Sequence, residues 1–156
     1  VYVVASAMVG QSGVVGGISV FAPSSGNDFD KTDACAFRLA SNGAIGADAS
    51  PGISLSVQVN ASQRLSVNRH ELIIETTEAR VRSTAGFAGD EEATDDSFSA
   101  FDATHSGDYY EGARYIGGPA HWIIMRKHEE VIASDLTPEE RTALRAYLDA
   151  KWGIGT

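Results

Sequence analysis

Residues 53–60 alternate strictly between apolar and polar side chains, and this alternation constrains the fold more than any other feature of the chain. Ile53, Leu55, Val57 and Val59 are each followed by a Ser, Gln or Asn. Successive side chains of a β-strand point to opposite faces. The pattern therefore predicts a strand with one face in an apolar core and the other in water.

Runs of β-branched and small apolar residues recur along the chain. They predict further strands over 1–9, 14–21, 34–40, 70–76, 79–83, 115–116, 122–125 and 130–133. Turn sequences such as Ser41-Asn42-Gly43 separate the runs, and Thr77-Glu78 indicates a hairpin. Short strands at this spacing are typical of a sandwich or barrel. With 156 residues, the size of one domain, we predict a single all-β domain over 1–156, an antiparallel jelly-roll β-sandwich with one C-terminal α-helix.

That helix is predicted over residues 137–152. Thr137 and Glu140 form a capping box, and Pro138 suits the first helical position. A stripe of apolar residues spaced by four follows, made of Leu144, Leu148 and Trp152. Gly153 provides a stop. We expect the stripe to pack on the sandwich and to seal one end of it.

The charge of the chain excludes several classes of partner. Its formal net charge of −9 repels phosphate backbones and anionic lipid surfaces, which argues against nucleic acid and membrane surfaces as partners. Membrane insertion is not expected either, because the sequence has no apolar run of about 18 residues. A single cysteine, Cys35, rules out an internal disulfide and a zinc site built from several thiolates.

The segment 90–111 is strongly acidic, with eight of the 21 acidic residues and no Lys or Arg. It predicts a long surface loop, the kind of segment that often carries function on a β scaffold. Calcium is the candidate cofactor, because hard cations prefer carboxylate and carbonyl oxygens. The candidate ligands are Asp95, Asp96, Asp102 and Asp108. The spacing does not match an EF-hand, and the alternative is a solvated loop that keeps the protein soluble.

Aromatic residues in and after this segment suggest a sugar-binding platform, which needs flat rings beside hydrogen-bonding groups. The candidate ligand-binding residues are Tyr109, Tyr110, His121 and Trp122. Tyr109 and Tyr110 are adjacent and cannot both face inward on a strand, so at least one is expected to be exposed or at an interface. The alternative for each ring is a place in the core.

No catalytic motif is found in the sequence. Glycoside hydrolysis needs two carboxylates roughly 5–10 Å apart across a cleft. Glu75 and Glu78 flank a turn, whereas Glu129 and Glu130 are adjacent and point to opposite faces of a strand. Serine-nucleophile and phosphate-binding motifs are missing as well. We therefore predict a protein that is not an enzyme, with glycoside hydrolysis as the weaker alternative.

The C-terminal residues resemble a known family. Leu136-Thr137-Pro138-Glu139-Glu140 and Tyr147-Leu148-Asp149-Ala150-Lys151-Trp152-Gly153 are similar to the tail of concanavalin A-like lectin/glucanase domains, the laminin-G-like jelly rolls, of the bacterial and phage type. The opening Val1–Ala5 resembles a strand that follows the N-terminal strands of that family, so we expect further strands upstream or from another chain. The resemblance implies a fold and a range of roles, and it transfers no functional residue.

These observations lead to two functional hypotheses. The first is a non-catalytic carbohydrate-binding or adhesion module of an extracellular or phage virion-surface assembly, with a cell-surface glycan as its partner. The second is a purely structural virion component, such as a capsid decoration, fibre or tail protein, that acts through protein–protein contacts. A homo-oligomer or a larger protein assembly is expected in that case.

Overall fold

The computed structural model describes residues 1–7, 13–19, 35–39, 44–49, 53–58, 66–75, 78–86, 89–95, 108–110 and 125–155. In this part of the chain ten strands precede one helix. The strands are β1 Tyr2–Ala7, β2 Gly13–Ser19, β3 Cys35–Leu39, β4 Ala44–Ala49, β5 Ile53–Gln58, β6 Asn68–Ile74, β7 Ala79–Gly86, β8 Gly89–Asp95, β9 Asp108–Tyr110 and β10 Met125–Val131. The helix α1 spans Pro138–Trp152.

The strands form two five-stranded sheets in which every pair is antiparallel. The first sheet has the order β10-β1-β6-β7-β8, and the second has the order β5-β4-β3-β2-β9. Strand β5 packs over β7 and β8, and β4 packs over β7, so the sheets lie face to face. This arrangement confirms the prediction of an antiparallel all-β fold with one C-terminal helix.

Strand β1 is covered on both of its faces. Val3 and Ala5 lie between the sheets, in a core that also contains Phe37, Ile45, Val57, Leu72 and Val81. On the other face, Tyr2 and Val4 pack beneath the helix. The two burials explain why the first five residues of the chain are all apolar and do not alternate as those of β5 do.

Helix α1 begins and ends as its sequence predicts. The Thr137 hydroxyl accepts a hydrogen bond from the Glu140 backbone N–H at 3.2 Å, and the Glu140 carboxylate accepts one from the Thr137 N–H at 2.8 Å. Gly153 has the left-handed conformation (φ 65°), which glycine adopts without strain.

The position of α1 differs from the expectation. Leu148 packs on Tyr2 and Val4, which belong to the outer face of the first sheet. The helix therefore adds a third layer to the molecule and does not seal an end of the sandwich. The reason is that β1 presents apolar side chains on its outer face, and these need a cover.

The hairpin predicted around Thr77-Glu78 is confirmed by the pairing of β6 with β7. Their register runs from His70 opposite Ser83 to Ile74 opposite Ala79. At the turn, the Glu75 N–H donates to the Glu78 carbonyl at 2.8 Å.

The prediction of one long loop over residues 90–111 is wrong near both ends of that segment, which are the parts of it that the structure describes. Strand β8 takes its first residues, and the short β9 lies near its end. Opposite β8, Arg82 binds Asp90 with two bonds of 2.7 and 2.6 Å and lies 3.7 Å from Glu92. Cross-strand arginines thus compensate the acids, and this compensation lets so acidic a segment form a strand.

Two further strands differ from the sequence predictions. Strand β10 is one strand, Met125–Val131, whereas residues 132 and 133 lie beyond it and Ile132 is exposed. A β-bulge interrupts its register, with Val4 opposite Glu129 and Ala5 opposite Lys127. Strand β4 was not predicted, because its alanines and glycine have low strand propensity. The predicted strands at 115–116 and 122–124 lie outside the described residues.

Candidate functional site

Two of the four predicted sugar-binding residues lie together in one strand. Tyr109 and Tyr110 form β9 with Asp108, and the structure describes their backbone. Among the described residues, strand β9 pairs with β2 alone and is the last strand of the second sheet, with Ile18 opposite Tyr109. His121 and Trp122 lie outside the described residues, so the predicted platform as a whole stays a prediction.

The predicted calcium ligands are not brought together where the structure describes them. Asp95 ends β8, which packs on β5, whereas Asp108 begins β9 at the opposite edge of the second sheet. Asp96 and Asp102 lie outside the described residues. Among the residues that are described, no three His, Cys, Asp or Glu side chains form a candidate metal site. The calcium hypothesis stays a prediction.

A group of polar and aromatic side chains lies where the end of α1 meets β10. We call it the Trp152 cluster, and its members are Ser6, His128, Glu129, Tyr147, Lys151 and Trp152. The Trp152 Nε1–H donates to Glu129 Oε2 at 2.5 Å, and Lys151 Nζ donates to Glu129 Oε1 at 2.9 Å. The Lys151 ammonium also lies 5.4 Å from the ring centre of Tyr147 and 5.7 Å from that of Trp152.

The bulge in β10 positions His128 within this cluster, as bulges often re-aim a side chain. The His128 ring lies 5.2 Å from the Trp152 ring at an interplanar angle of 41°. Its Nε2 shares a hydrogen bond of 3.2 Å with the Ser6 hydroxyl. Trp152 is thereby held by Glu129 through its indole nitrogen and by His128 through its ring.

Glu129 and Lys151 are both charged at neutral pH. Hydrogen bonds from Trp152 and then from Lys151 lower the pKa of Glu129 below its ordinary value. The hydrogen bond to Glu129, followed by that of Tyr147, raises the pKa of Lys151. The cluster therefore presents a carboxylate and an ammonium side by side, together with three aromatic rings.

A second polar group lies between the outer face of the first sheet and α1. We call it the arginine network, and its members are Arg69, Glu71, Arg82, Asp90, Arg145 and Asp149. Glu71 is fully buried (0% exposed) and binds the guanidinium groups of Arg69 and Arg145. Arg69 in turn binds both oxygens of Asp149, at 2.8 and 3.0 Å.

The charges of the arginine network balance, with three arginines facing three carboxylates. Burial works to raise the pKa of Asp90, but the hydrogen bond and charge of Arg82 outweigh it, and the pKa lies below its usual range. The same hydrogen bond raises the pKa of Arg82. Since each buried charge has an oppositely charged partner, we assign this network to holding α1 on the sheet.

The carboxylates considered for glycoside hydrolysis each have a cationic partner. Glu75 accepts from Arg141 at 2.6 Å, and Glu78 lies 2.7 Å from the Arg80 guanidinium. Glu130 pairs with Lys127 at 2.6 Å. Each of these acids is therefore engaged in an ion pair.

His70 is a titratable group buried between the sheets. Its Nδ1 lies 3.0 Å from the Ser83 hydroxyl, which accepts a hydrogen bond from the Ala85 N–H. Burial and then the charge of Arg69 lower the pKa of His70 from 6.5 to about 3. The imidazole is therefore neutral in the folded protein over the whole range from neutral to moderately acidic pH.

This burial predicts a loss of stability in mild acid. Between pH 6.5 and about 3 the unfolded chain protonates His70 whereas the folded protein does not. The free energy of unfolding is therefore highest above pH 6.5 and falls by about 1.4 kcal/mol for each unit that the pH drops through this window. Urea unfolding of the wild type and of His70→Asn between pH 7.5 and 5 measures the slope.

We expect His70→Asn to be less stable at pH 7.5 and to have a flatter pH dependence above pH 5. That range lies above the ordinary pKa of the carboxyl groups, so their protonation contributes little to the slope. Equal slopes for the two proteins would contradict the assignment of the slope to His70.

Sequence reasoning missed both polar groups. For the arginine network a signal exists, because charges recur at alternate positions in three successive strands: Arg69 and Glu71, Arg80 and Arg82, Asp90 and Glu92. Helix α1 repeats this pattern at intervals of four with Arg141, Arg145 and Asp149. The Trp152 cluster has no such signal, because it depends on which strand the helix end meets.

Comparison of the chain with protein-family models, with curated proteins and with solved structures finds no match. The resemblance of the C-terminal residues to concanavalin A-like domains therefore stays a prediction. Among the described residues, no helix combines the length and apolar character that crossing a bilayer requires.

Proposed function

We propose that the protein is a non-catalytic carbohydrate-binding or adhesion module with a concanavalin A-like jelly-roll fold. The proposal places it in an extracellular or phage virion-surface assembly, with a cell-surface glycan as its partner. The observation that supports it best is the position of Tyr109 and Tyr110 in an edge strand of a β-sandwich. Adjacent side chains of a strand point to opposite faces, and the prediction that at least one of these tyrosines is exposed or at an interface depends on this geometry.

The sandwich supports the proposal in a second way. A rigid antiparallel scaffold holds edge strands and loops in fixed positions, which limits the entropy lost when a ligand binds. Aromatic rings supply a large contact area at a small cost in conformational entropy. Calcium is proposed as an optional cofactor, with its ligands among Asp96, Asp102 and Asp108. Asp95 ends β8, at the opposite side of the sandwich from Asp108, and does not share their site.

The test is a screen of the intact chain on an array of cell-surface glycans, first with calcium and then with a chelator. Tyr109→Ala and Tyr110→Ala are compared with Ser56→Ala, which changes an exposed residue on the distant edge strand β5. We expect the wild type and Ser56→Ala to bind the same glycan and at least one tyrosine variant to lose it. Absence of binding by the wild type in both conditions would contradict the proposal.

The chelator arm tests the cofactor separately. If calcium takes part, binding falls on chelation and recovers when calcium is restored, and Asp108→Asn reproduces the loss. Binding that is equal in both conditions would contradict the calcium proposal and leave the glycan proposal standing.

A second candidate function is a purely structural virion component, and strand β5 favours it. Among the described residues β5 pairs with β4 alone, and its sequence Ile53–Gln58 has no charged residue. Edge strands of monomeric proteins usually carry charges that prevent pairing with another chain, as β8 and β10 do here. An uncharged edge is suited to pairing with a strand of a second copy.

Sedimentation velocity tests this candidate. We expect self-association of the wild type, and its loss in Ser56→Lys, which places a charge on the β5 edge. A wild type that is monomeric at all concentrations would contradict a structural role through this edge.

A further inference from the structure

The Trp152 cluster combines features that a sugar ligand requires, and all of its residues are described. Tyr147 is 54% exposed and, with Ile132, is one of the two most exposed large apolar side chains in the described part of the chain. Trp152 is half-buried and its ring shares the Lys151 ammonium with Tyr147, and His128 is half-buried against the Trp152 ring. Exposed rings of this kind, rimmed by polar groups, mark binding surfaces more often than single exposed aliphatic residues do.

Two of the three rings, those of Trp152 and His128, are held in place before any ligand arrives. Trp152 packs against the apolar cluster beneath α1, and its indole N–H is fixed by Glu129. His128 lies against the Trp152 ring and is itself bonded to Ser6. A ring that is already ordered loses little entropy on binding, so its contact area contributes more fully to affinity.

Hydrogen-bonding groups lie between the rings. The side chains of Lys151 and Glu129 are 42% and 21% exposed, so both charged groups reach water. An ammonium has three donors and a carboxylate has about four acceptor positions. Their mutual hydrogen bond therefore leaves further donors on Lys151 and further acceptor positions on Glu129 for a ligand. One sugar hydroxyl can accept from Lys151 while a neighbouring hydroxyl donates to Glu129.

We infer that the Trp152 cluster is a binding site for a neutral hexose-containing glycan, with Tyr147 as its exposed aromatic contact. A hexose has the matching chemistry, since it presents an apolar C–H face to a ring and adjacent hydroxyls at its rim. A neutral sugar fits better than an acidic one, because Lys151 is already neutralised by Glu129 and the chain carries a net charge of −9.

The inference rests on the proposed function and gives it a definite location. Strand β8 lies over β5, so the strand orders of the two sheets place β9 and β10 at the same side of the sandwich. The Trp152 cluster and the Tyr109–Tyr110 strand are therefore on one side of the molecule. Tyr147 belongs to neither apolar cluster. Replacing it is therefore expected to change ligand binding without disturbing the packing of α1 on the sheet.

The test is isothermal titration of the intact chain with neutral oligosaccharides of glucose, galactose and mannose, and with a sialylated oligosaccharide for comparison. The variants are Tyr147→Ala and Lys151→Gln at the cluster, and Tyr109→Ala and Tyr110→Ala at β9. Thr142→Ala, an exposed position on the same helix, is the matched control. Urea unfolding establishes that each variant is folded.

We expect Tyr147→Ala to weaken binding of a neutral oligosaccharide at least about tenfold and Thr142→Ala to leave it unchanged. Loss in Tyr109→Ala or Tyr110→Ala with full retention in Tyr147→Ala would overturn the inference and leave the proposed function intact. No binding of any oligosaccharide by the wild type would overturn both. Loss in both sets of variants would support a site that extends across the two edges and includes Tyr147.

Discussion

Replacing Glu71 by Gln is expected to lower the free energy of unfolding by about 3–5 kcal/mol. Glu71 is fully buried and is the carboxylate to which Arg69 and Arg145 both bind. Glutamine has nearly the same shape, so the variant removes the charge and leaves the packing almost unaltered. Arg145 then loses its carboxylate partner and the buried Arg69 keeps only Asp149 as a hydrogen-bonded carboxylate, and removing one partner of a buried ion pair is strongly destabilising.

The measurement is the urea midpoint at pH 7, with Glu92→Gln as the matched control. Glu92 is an exposed residue on β8 and lies 3.7 Å from the Arg82 guanidinium. An exposed pair of this kind contributes at most about 1 kcal/mol, so the control should differ little from the wild type. A Glu71→Gln variant as stable as Glu92→Gln would contradict the role given to the arginine network.

A triple variant tests the same interpretation from the opposite side. Replacing Arg69, Glu71 and Arg145 together by Met, Leu and Met leaves none of these three charges in the buried contact. Apolar replacement of a buried ion triad is often neutral or stabilising. We expect the triple variant to be more stable than Glu71→Gln, although Asp149 then loses its arginine partner.

Leu148→Ala is expected to cost about 2–5 kcal/mol. Leu148 is 0% exposed and is the buried residue of α1 that packs on Tyr2, Val4 and Ile154. Removing its side chain leaves a cavity beneath the helix, and the surrounding side chains come from β1, from β10 and from the segments on either side of α1. Side chains held by several segments cannot easily move to fill the cavity. The loss in free energy of unfolding is therefore larger than the loss of buried apolar area alone would give.

Two neighbours on the same helix provide controls for Leu148. Leu144→Ala changes a half-buried member of the same stripe and should cost less. Tyr147→Ala changes the adjacent, mostly exposed residue and should shift stability by no more than about 0.5 kcal/mol. Equal losses for Leu148→Ala and Tyr147→Ala would contradict the orientation of α1 on the sheet.

Local chemistry explains the parts of the fold that the sequence predicts well. The cap residues Thr137 and Glu140 act within one turn of helix, and the stop at Gly153 is equally local. The β6–β7 hairpin is also recognisable, because its strands are separated by a few residues. Neither prediction depends on what the segment packs against.

The segments that were missed depend on distant partners. Strand β8 looks like a loop until Arg82 is placed opposite Asp90 and Glu92. The polar run Asn68–Glu71 looks like a surface segment, yet it lies in the middle of the first sheet with every side chain buried. Arg69 is paired with Asp149 and Glu71 with Arg145, which lie 80 and 74 residues further along the chain.

The candidate binding residues likewise include some that the sequence reveals and others that depend on distant contacts. Adjacent tyrosines at 109 and 110 are visible in the sequence, and the structure places them in one edge strand. The Trp152 cluster was not predicted, because the stripe Leu144, Leu148 and Trp152 identifies Trp152 only as a core residue. Its contacts with Glu129 and His128 exist because α1 ends beside β10, which no local pattern specifies.

The polar run Asn68–Glu71 lies in the centre of a three-layer molecule, and the docking of α1 through Arg69 and Glu71 depends on that position. Amide hydrogen exchange of the native protein tests it most directly, because it reports the free energy needed to expose each segment. Strand β6 is paired on both sides and covered on both faces. We predict that amides 68–74 exchange among the slowest in the chain and well after those of the edge strand 89–95; exchange of 68–74 as fast as that of 89–95 would contradict the account.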